Sequence, residues 1–399
     1  DTPLTAYRHV KFHSTTSRLS GTLSADVATS LKQLIDSYDS NALLSEASTP
    51  PCSWYSDPRI LDLQRRTVFS RSWQMVGRAE QLHESGQYVT CDVADEPILL
   101  LTGHDGVIRG FYNVCRHHAA AVITEPQGHA EHLRCPYHGW TYNLDGALVV
   151  APEFGGVRNF DKSANGLVPV ETAIWRGWVF VKLVSNGTTL VPFLGKDLIE
   201  RIQSLQLEQL SWFDRRSYSV KCNWKVFIDN YLDGGYHVPH IHGALNSVLD
   251  YSAYRIETGD RFCLQSSPIV SGNADAHTSE ARKGQALYYW IYPNFMINWY
   301  EGVMDTNLVL PRGTDRTEVI FDYYFTDVSE KAREKNLGSI GVSERIQDED
   351  VAICESVQRG LSSRSYSTGR LSVRREAGEH LFHRLLHSDL EMGLPNDVG

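Results

Sequence analysis

Apolar residues recur along this chain with two different periods. Near the start, Val27, Leu31, Leu34 and Ile35 fall on one face of a helix, with Ser24 placed to cap it. A loop with Pro50-Pro51 follows, and Asp57-Pro58 reads as the N-cap and first residue of a second helix ending near Ser70. From about residue 74 the period shortens to that of strands. Ile98–Thr102 and Val107–Val114 are joined through Gly103-His104-Asp105-Gly106. Trp140–Leu144 and Ala147–Val150 flank Asp145-Gly146, a dipeptide suited to a two-residue hairpin turn. Helical spacing returns near Leu198–Leu210. Strands follow at Leu287–Ile297, Thr306–Leu310 and Glu318–Phe325, and a last strong helix covers Ser343–Leu361, its apolar side defined by Ile346, Ile353 and Val357. The pattern predicts an α+β chain in three parts: helices within 1–73 that pack on the last part, an all-β domain over 74–183, and a larger mixed domain over 184–399.

Composition narrows what such a chain can do. At 399 residues with 42% apolar and 22% charged positions, it can bury a full core. No apolar run reaches the ~18 residues of a membrane span, so a soluble protein is expected. A formal charge of -10 is a poor match for a phosphate backbone, which argues against nucleic acid. The hydroxyl-rich, basic stretch 1–24 suits either a loose terminus or the remnant of an organelle transit peptide. Seven scattered cysteines do not make a disulfide framework. No GxGxxG or phosphate loop is present, so binding of a dinucleotide by the usual fingerprint is not expected.

Two constellations carry chemistry. Cys115-Arg116-His117 and Cys135-Pro136-Tyr137-His138 each offer a thiolate and an imidazole from a loop between strands, separated by residues 118–134. Two thiolates and two imidazoles are the ligands of a Rieske [2Fe–2S] cluster, and the same atoms would also hold a structural zinc. The Cys-x-His order, the strand context and the apolar Gly139-Trp140 continuation favour the cluster. The second constellation lies at 222–242, where Asn230, Asp229, Asp233, His237, His240 and His242 crowd together. Two histidines and one carboxylate with open positions form the facial triad of non-haem iron oxygenases. On chemistry alone any two of the three histidines serve, and the carboxylate must come from elsewhere. The helix around Gln347–Gly360 offers Asp350, with Glu349 as the alternative.

Cys115-x-His117…Cys135-Pro-Tyr-His138-Gly-Trp, Asn230-x-x-Asp233 followed by His237-x4-His242, and Asp350-x4-Glu355 together resemble the α subunits of Rieske non-haem iron oxygenases. The blocks Pro51–Tyr55, Cys222–Pro239, Tyr292–Asn298, Met304–Pro311 and Cys354–Leu361 resemble the choline monooxygenase branch in particular. That resemblance implies a Rieske domain plus a helix-grip, START-like catalytic domain. It implies a cluster on Cys115, His117, Cys135 and His138, and a mononuclear iron on His237, His242 and Asp350. It further implies that an acid before the first histidine, Asp233 here or else Asp229, bridges to the cluster of a neighbouring subunit in a homotrimer. The family's usual spacing has one residue fewer between acid and histidine, and Gly234-Gly235 would absorb the extra one in a bulge. The implied activity is ferredoxin-driven oxidation of choline by O2 to betaine aldehyde hydrate in the chloroplast stroma, on the route to glycine betaine. Attack on a betaine or carnitine, or on an aromatic ring, is the alternative, as is a protein that retains only the cluster and passes electrons. A quaternary ammonium is best held by aromatic faces. Tyr288, Trp290 and Tyr292 share one face of a strand, and Phe295, Trp299 and His240 are further candidates, with Glu301 and Asp305 adding charge. The segment Trp299-Tyr300-Glu301-Gly302-Val303-Met304 departs from the branch's usual Arg-Tyr-Gly-Pro-Trp-Met. Arg116, Arg134 and Lys162 would have to receive an acidic ferredoxin.

Overall fold

The computed structural model describes residues 29–270 and 284–394. Ser24, Val27 and the stretch 1–24 lie outside them. The helix that follows, Leu31–Asp36, is capped by Ser30, whose Oγ accepts from the Gln33 amide while the Gln33 side chain accepts from the Ser30 amide. Asp57 caps the helix Pro58–Gln64, which runs into one wider turn, Arg65–Phe69.

Ten strands make the first half: β1 (Gln74–Arg78), β2 (Gln87–Val93), β3 (Glu96–Thr102), β4 (Ile108–Tyr112), β5 (Gln127–His129), β6 (Leu133–Arg134), β7 (Thr141–Tyr142), β8 (Leu148–Val150), β9 (Pro169–Trp175) and β10 (Trp178–Lys182). They form a seven-stranded sheet in the order β1-β10-β9-β4-β3-β2-β5 and a three-stranded sheet, β6-β7-β8. The β7–β8 turn has three residues rather than two. Asn143 N donates to Ala147 O and Gly146 N to Asn143 O, with Gly146 left-handed at φ 81°. A type I turn followed by a left-handed glycine closes a hairpin this way. β4 stops at Tyr112, short of the expected Val114, because the chain there turns off the sheet toward Cys115.

The second half is a seven-stranded antiparallel sheet of β11 (Ser211–Val220), β12 (Arg255–Thr258), β13 (Phe262–Pro268), β14 (Gln285–Ile291), β15 (Phe295–Tyr300), β16 (Val303–Pro311) and β17 (Thr317–Phe325), in the order β11-β17-β16-β15-β14-β13-β12. The run expected as one strand over Leu287–Ile297 is thus two, broken at Tyr292-Pro293-Asn294. Consecutive strands β11 and β12 occupy opposite edges of the sheet. Their connection must therefore travel its width, roughly 29 Å at ~4.8 Å per strand. That traverse contains the helix Trp224–Leu232 and the three histidines.

Two long helices finish the chain. Arg333–Leu361 begins ten residues before the expected Ser343, and its buried stripe runs through Ile340, Gln347, Cys354 and Leu361 rather than Val357, which is 44% exposed. Ala377–Met392 was not anticipated: its core face is made of Glu379, His380, Phe382, His383, Leu386, His387 and Leu390. Phe382 packs edge-on against both Trp224 and Trp290. The early residues Trp54, Ile60 and Phe69 belong to the same core as the second sheet. The two seven-stranded sheets meet where Trp178 Nε1 donates to Tyr324 Oη at 3.1 Å and Arg78 pairs with the buried Asp322 at 3.2 Å.

Candidate active site

The two Cys-His loops are built alike. Cys115 N donates to Ala120 O and Ala119 N to Cys115 O; Cys135 N donates to Trp140 O and Gly139 N to Cys135 O. In each, the fourth residue after the cysteine is left-handed, Ala119 at φ 60° and Gly139 at φ 70°. These knuckles turn both thiols inward, to 3% and 2% exposure. Tyr142 lies behind them, its hydroxyl 3.3 Å from Cys115 Sγ and accepting from Arg116 N at 3.0 Å. His117 and His138 stand with ring centroids 4.7 Å apart, and His117 stacks on Trp140 at 6°. Nδ1 of His117 is buried without a hydrogen-bond partner, the state of a nitrogen whose lone pair is meant for a metal. His118 packs edge-on against His117, ring centroids 4.1 Å apart, and is exposed.

The second constellation comes together from two elements. The helix Trp224–Leu232 ends at Asp233, and two left-handed glycines, Gly234 and Gly235, both at φ 69°, reverse the chain. The extra residue is accommodated here at a helix end, not in a strand bulge, because this segment is helical. A Cβ on Gly234 would lie 2.1 Å from Arg375 O. His237 then starts the short turn Val238–Ile241, and His242 follows it, fully buried. Each imidazole has its Nδ1 tied to a carboxylate at 2.6 Å: His237 to Asp233 and His242 to Glu349. Both Nε2 atoms therefore face inward, 3.7 Å and 3.1 Å from Asp350 Oδ1. The ligand atoms of His237, His242 and Asp350 all lie within 4.8 Å of one another. Asn230 donates to Asp350 Oδ1 at 2.8 Å. Asp350 reaches the site because it is three residues after Gln347 and four before Cys354, on the buried stripe of its helix.

The neighbours weighed from sequence have other partners. Glu349 sits outside the triad, holding His242. His240 is exposed and packs beside Tyr236. Asp229 turns to the opposite side of its helix, accepting from Tyr55 Oη at 2.7 Å and lying 3.0 Å from His383 Nε2.

A cavity of about 120 Å³ opens beside the triad. Of the aromatic residues proposed for it, only Tyr288 lines it. Trp290 and Tyr292 share the Tyr288 face of β14, but farther along it, where they pack on Phe382 and Asp389. Phe295 packs on Trp178 and Phe180. Asn298 and Tyr300 point into the cavity, so Trp299 between them points away. His240 is not on the wall either. The wall is instead Phe227, Tyr231, Tyr254, Tyr288, Tyr300 and Phe321, with a polar patch of Gln265, Asn298, Asp305 and Asn307. Asp305, 5% exposed, accepts from Asn298 Nδ2 at 2.7 Å and Asn307 Nδ2 at 2.9 Å. Tyr231 Oη donates to Asn298 Oδ1 at 2.8 Å. Alternation along β15 and β16 already carried this information: Asn298 and Tyr300 alternate along one strand and Asp305 and Asn307 along the other, with Asn298 directly opposite Asp305.

Comparison with known proteins agrees with both constellations. Residues 72–161 match the Rieske [2Fe-2S] domain, and residues 207–391 match the ring hydroxylating alpha subunit catalytic domain. The chain is 40% identical over 374 residues to the chloroplastic choline monooxygenase of Arabidopsis thaliana, covering 91% of this chain and 87% of the relative. The chain belongs to the Rieske non-haem iron oxygenases. Another member, the carnitine monooxygenase oxygenase subunit of Escherichia coli K12, is 30% identical over 354 residues, 86% of this chain and 93% of that one. The solved structure of a quaternary ammonium Rieske monooxygenase that oxidises carnitine superposes with a TM-score of 0.77 at 28% identity, covering 87% of this chain and 96% of that chain. As a Rieske oxygenase, the chain carries a [2Fe–2S] cluster and a mononuclear iron. The donors fit both: buried thiols beside an unpartnered imidazole nitrogen for the cluster, and two inward Nε2 atoms with one carboxylate for the iron.

Proposed function

We propose that this Rieske oxygenase hydroxylates choline at its hydroxymethyl carbon, using O2 and electrons from a ferredoxin, to give betaine aldehyde hydrate. The observation that carries this is the cavity beside His237, His242 and Asp350: six aromatic rings and the buried Asp305 carboxylate, with no lysine or arginine among its described lining residues. Aromatic faces and a carboxylate attract a cation that cannot donate hydrogen bonds. The same carboxylate opposes the carboxylate of a betaine or carnitine, which favours choline among quaternary ammonium substrates. The names of the choline and carnitine monooxygenase relatives support the class.

In this reading Cys115, His117, Cys135 and His138 hold the cluster, and His237, His242 and Asp350 hold the iron. When bound, the iron supplies open positions for O2 and substrate, and the cluster supplies electrons singly. Asp233 and Glu349 orient the two imidazoles, as carboxylates behind metal-bound histidines do. Asn230 fixes Asp350. Asp233, already on His237, is the acid that would meet His117 or His138 of a neighbouring copy in a homotrimer. Residues 1–73, 74–183 and 184–399 serve as helical support, cluster domain and catalytic domain. The exposed Arg116, Arg134 and Lys162 beside the cluster loops receive the acidic donor, and the chloroplast stroma is the compartment. Among the described residues no helix is long and apolar enough to cross a membrane.

Turnover with reduced ferredoxin tests the substrate. Choline should yield betaine aldehyde, while glycine betaine and carnitine should react at least ~10-fold more slowly. Faster oxidation of carnitine, or choline consumption without the aldehyde, would overturn the assignment.

A further inference from the structure

A second group of titratable side chains lies behind the triad, across the helix Trp224–Leu232. Asp229 Oδ1 is 3.0 Å from His383 Nε2, and Glu379 Oε1 is 4.0 Å from the same nitrogen. Tyr55 Oη donates to Asp229 Oδ2 at 2.7 Å and stands 3.5 Å from His383 Nε2. His383 is fully buried and Glu379 is 6% exposed. Two carboxyl groups and an imidazole buried side by side are costly unless protons are shared among them. Their hydrogen bonds and ion pairs run to one another and not to His237, His242 or Asp350, so holding the iron does not explain them.

Tyr55, Asp229 and Glu379 of this group, with Asn230, line a crevice of about 160 Å³ whose lining also includes Thr49, Val357 and Tyr366; His383 lies behind them. Val357 and Tyr366 are 44% and 38% exposed, so the crevice reaches solvent. Asn230 lines this crevice and the substrate cavity alike, and it donates to Asp350. The substrate cavity thus reaches the triad directly, while the crevice, which carries titratable groups among apolar ones, ends at Asn230, one hydrogen bond from Asp350.

We propose that the crevice and the Glu379–His383–Asp229–Tyr55 group form the proton supply of the oxygenase, delivering protons past Asn230 while substrate fills the other cavity. The proposal rests on the oxygenase reading above. Hydroxylation converts R–H, O2, two electrons and two protons into R–OH and water. One oxygen atom enters the C–H bond, the other leaves as water, the electrons come from the ferredoxin, and the two protons must come from solvent. A separate inlet lets them arrive without flooding the substrate cavity. Burial, with Asp229, Glu376 and Asp233 facing it, pushes the Glu379 carboxyl well above its usual range. It keeps its proton more readily than an exposed carboxyl does, as a donor must. The other charged or titratable groups facing this group are Lys225, with Nζ 5.2 Å from the Tyr55 ring, Cys354 on the crevice wall, and Tyr38, Tyr366, His380 and Arg384.

Infrared spectroscopy of the resting holoenzyme and turnover test this together. The wild type at pH 7.5 (roughly midway between acid and base limbs) should show the carbonyl stretch of a protonated carboxylic acid that Glu379→Gln lacks. Glu379→Gln and Tyr55→Phe should each lower the rate about 10-fold or more, with a steeper fall toward high pH and a larger solvent deuterium effect than the wild type. Formate should restore part of the rate in Glu379→Ala, entering through the crevice. A merely structural role would move neither the pH profile nor the formate response. A carboxylic acid band that persists in Glu379→Gln, or variants with wild-type pH and isotope profiles, would overturn the relay alone. A wild type that oxidises none of the ammonium substrates would remove the oxygenase reading and the relay with it.

Discussion

At the scale of single residues, the site is ordered by which nitrogen each histidine turns inward. Asp233 and Glu349 take the two Nδ1 positions, so Asp350 is left as the one carboxylate facing both Nε2 atoms. Asp350→Ala should therefore lower iron from about three to about two per chain while leaving the cluster's visible absorption intact; metal analysis and absorption spectra check this. Lys225 carries a different prediction. It is fully buried, its Nζ bonded to Asn223 Oδ1 at 2.6 Å, and burial pushes it down to about 7 despite the opposing pull of Asp229. The unfolded chain keeps that proton to about 10.4, so between those values unfolding takes up a proton and stability rises with pH. From pH 7 to 9 (taken as a window of about two units) the wild type should gain on the order of 2 kcal/mol relative to Lys225→Met in denaturant titrations. An unchanged difference between the two would show that Lys225 is not held neutral.

Elements bring these residues together, and here the legibility of the sequence divides. The Cys-His loops were readable because their spacing is local. The choice of His237 and His242 among three histidines, and of Asp350, came from the family spacing, since the apolar side read from Ile346, Ile353 and Val357 is not the stripe that the helix buries. The cage was misread because a shared strand face is not a shared cavity: Tyr288, Trp290 and Tyr292 alternate correctly, yet the cavity ends after Tyr288. The helix Ala377–Met392 was missed because its core face is built from His380, His383 and His387, which look polar in a hydrophobic pattern although they are nearly or fully buried. Without that helix, Asp229 had no visible partner and seemed a rival to Asp233. The turn at Gly234 is the element most sensitive to change. Its φ of 69° disfavours a side chain, and a Cβ there would collide with Arg375 O. Gly234→Ala should cost about 2 kcal/mol or more and reduce mononuclear iron content, as read by thermal denaturation and metal analysis.

For the whole molecule, charge sets the meeting with a reductant. The net -10 repels an acidic donor at long range, so the local field of the cluster domain must reverse it. Arg116 is exposed directly beside His117. Arg116→Glu should slow cluster reduction by ferredoxin several-fold at low salt, an effect that shrinks as salt rises, while reduction by dithionite stays unchanged. Stopped-flow absorbance separates the two, and equal slowing with both reductants would place the effect on the cluster itself.

The traverse between β11 and β12 also has a consequence in time. The cluster's donors, Cys115 to His138, lie within one short stretch of chain, whereas the iron's donors span His237 to Asp350. A chain that emerges N-terminus first, from a ribosome or through a membrane pore, therefore presents the whole sulfur-rich site early. Its pair of imidazoles stays open until the helix Arg333–Leu361 follows. The order of the strands thus separates completion of the two sites, cluster before iron.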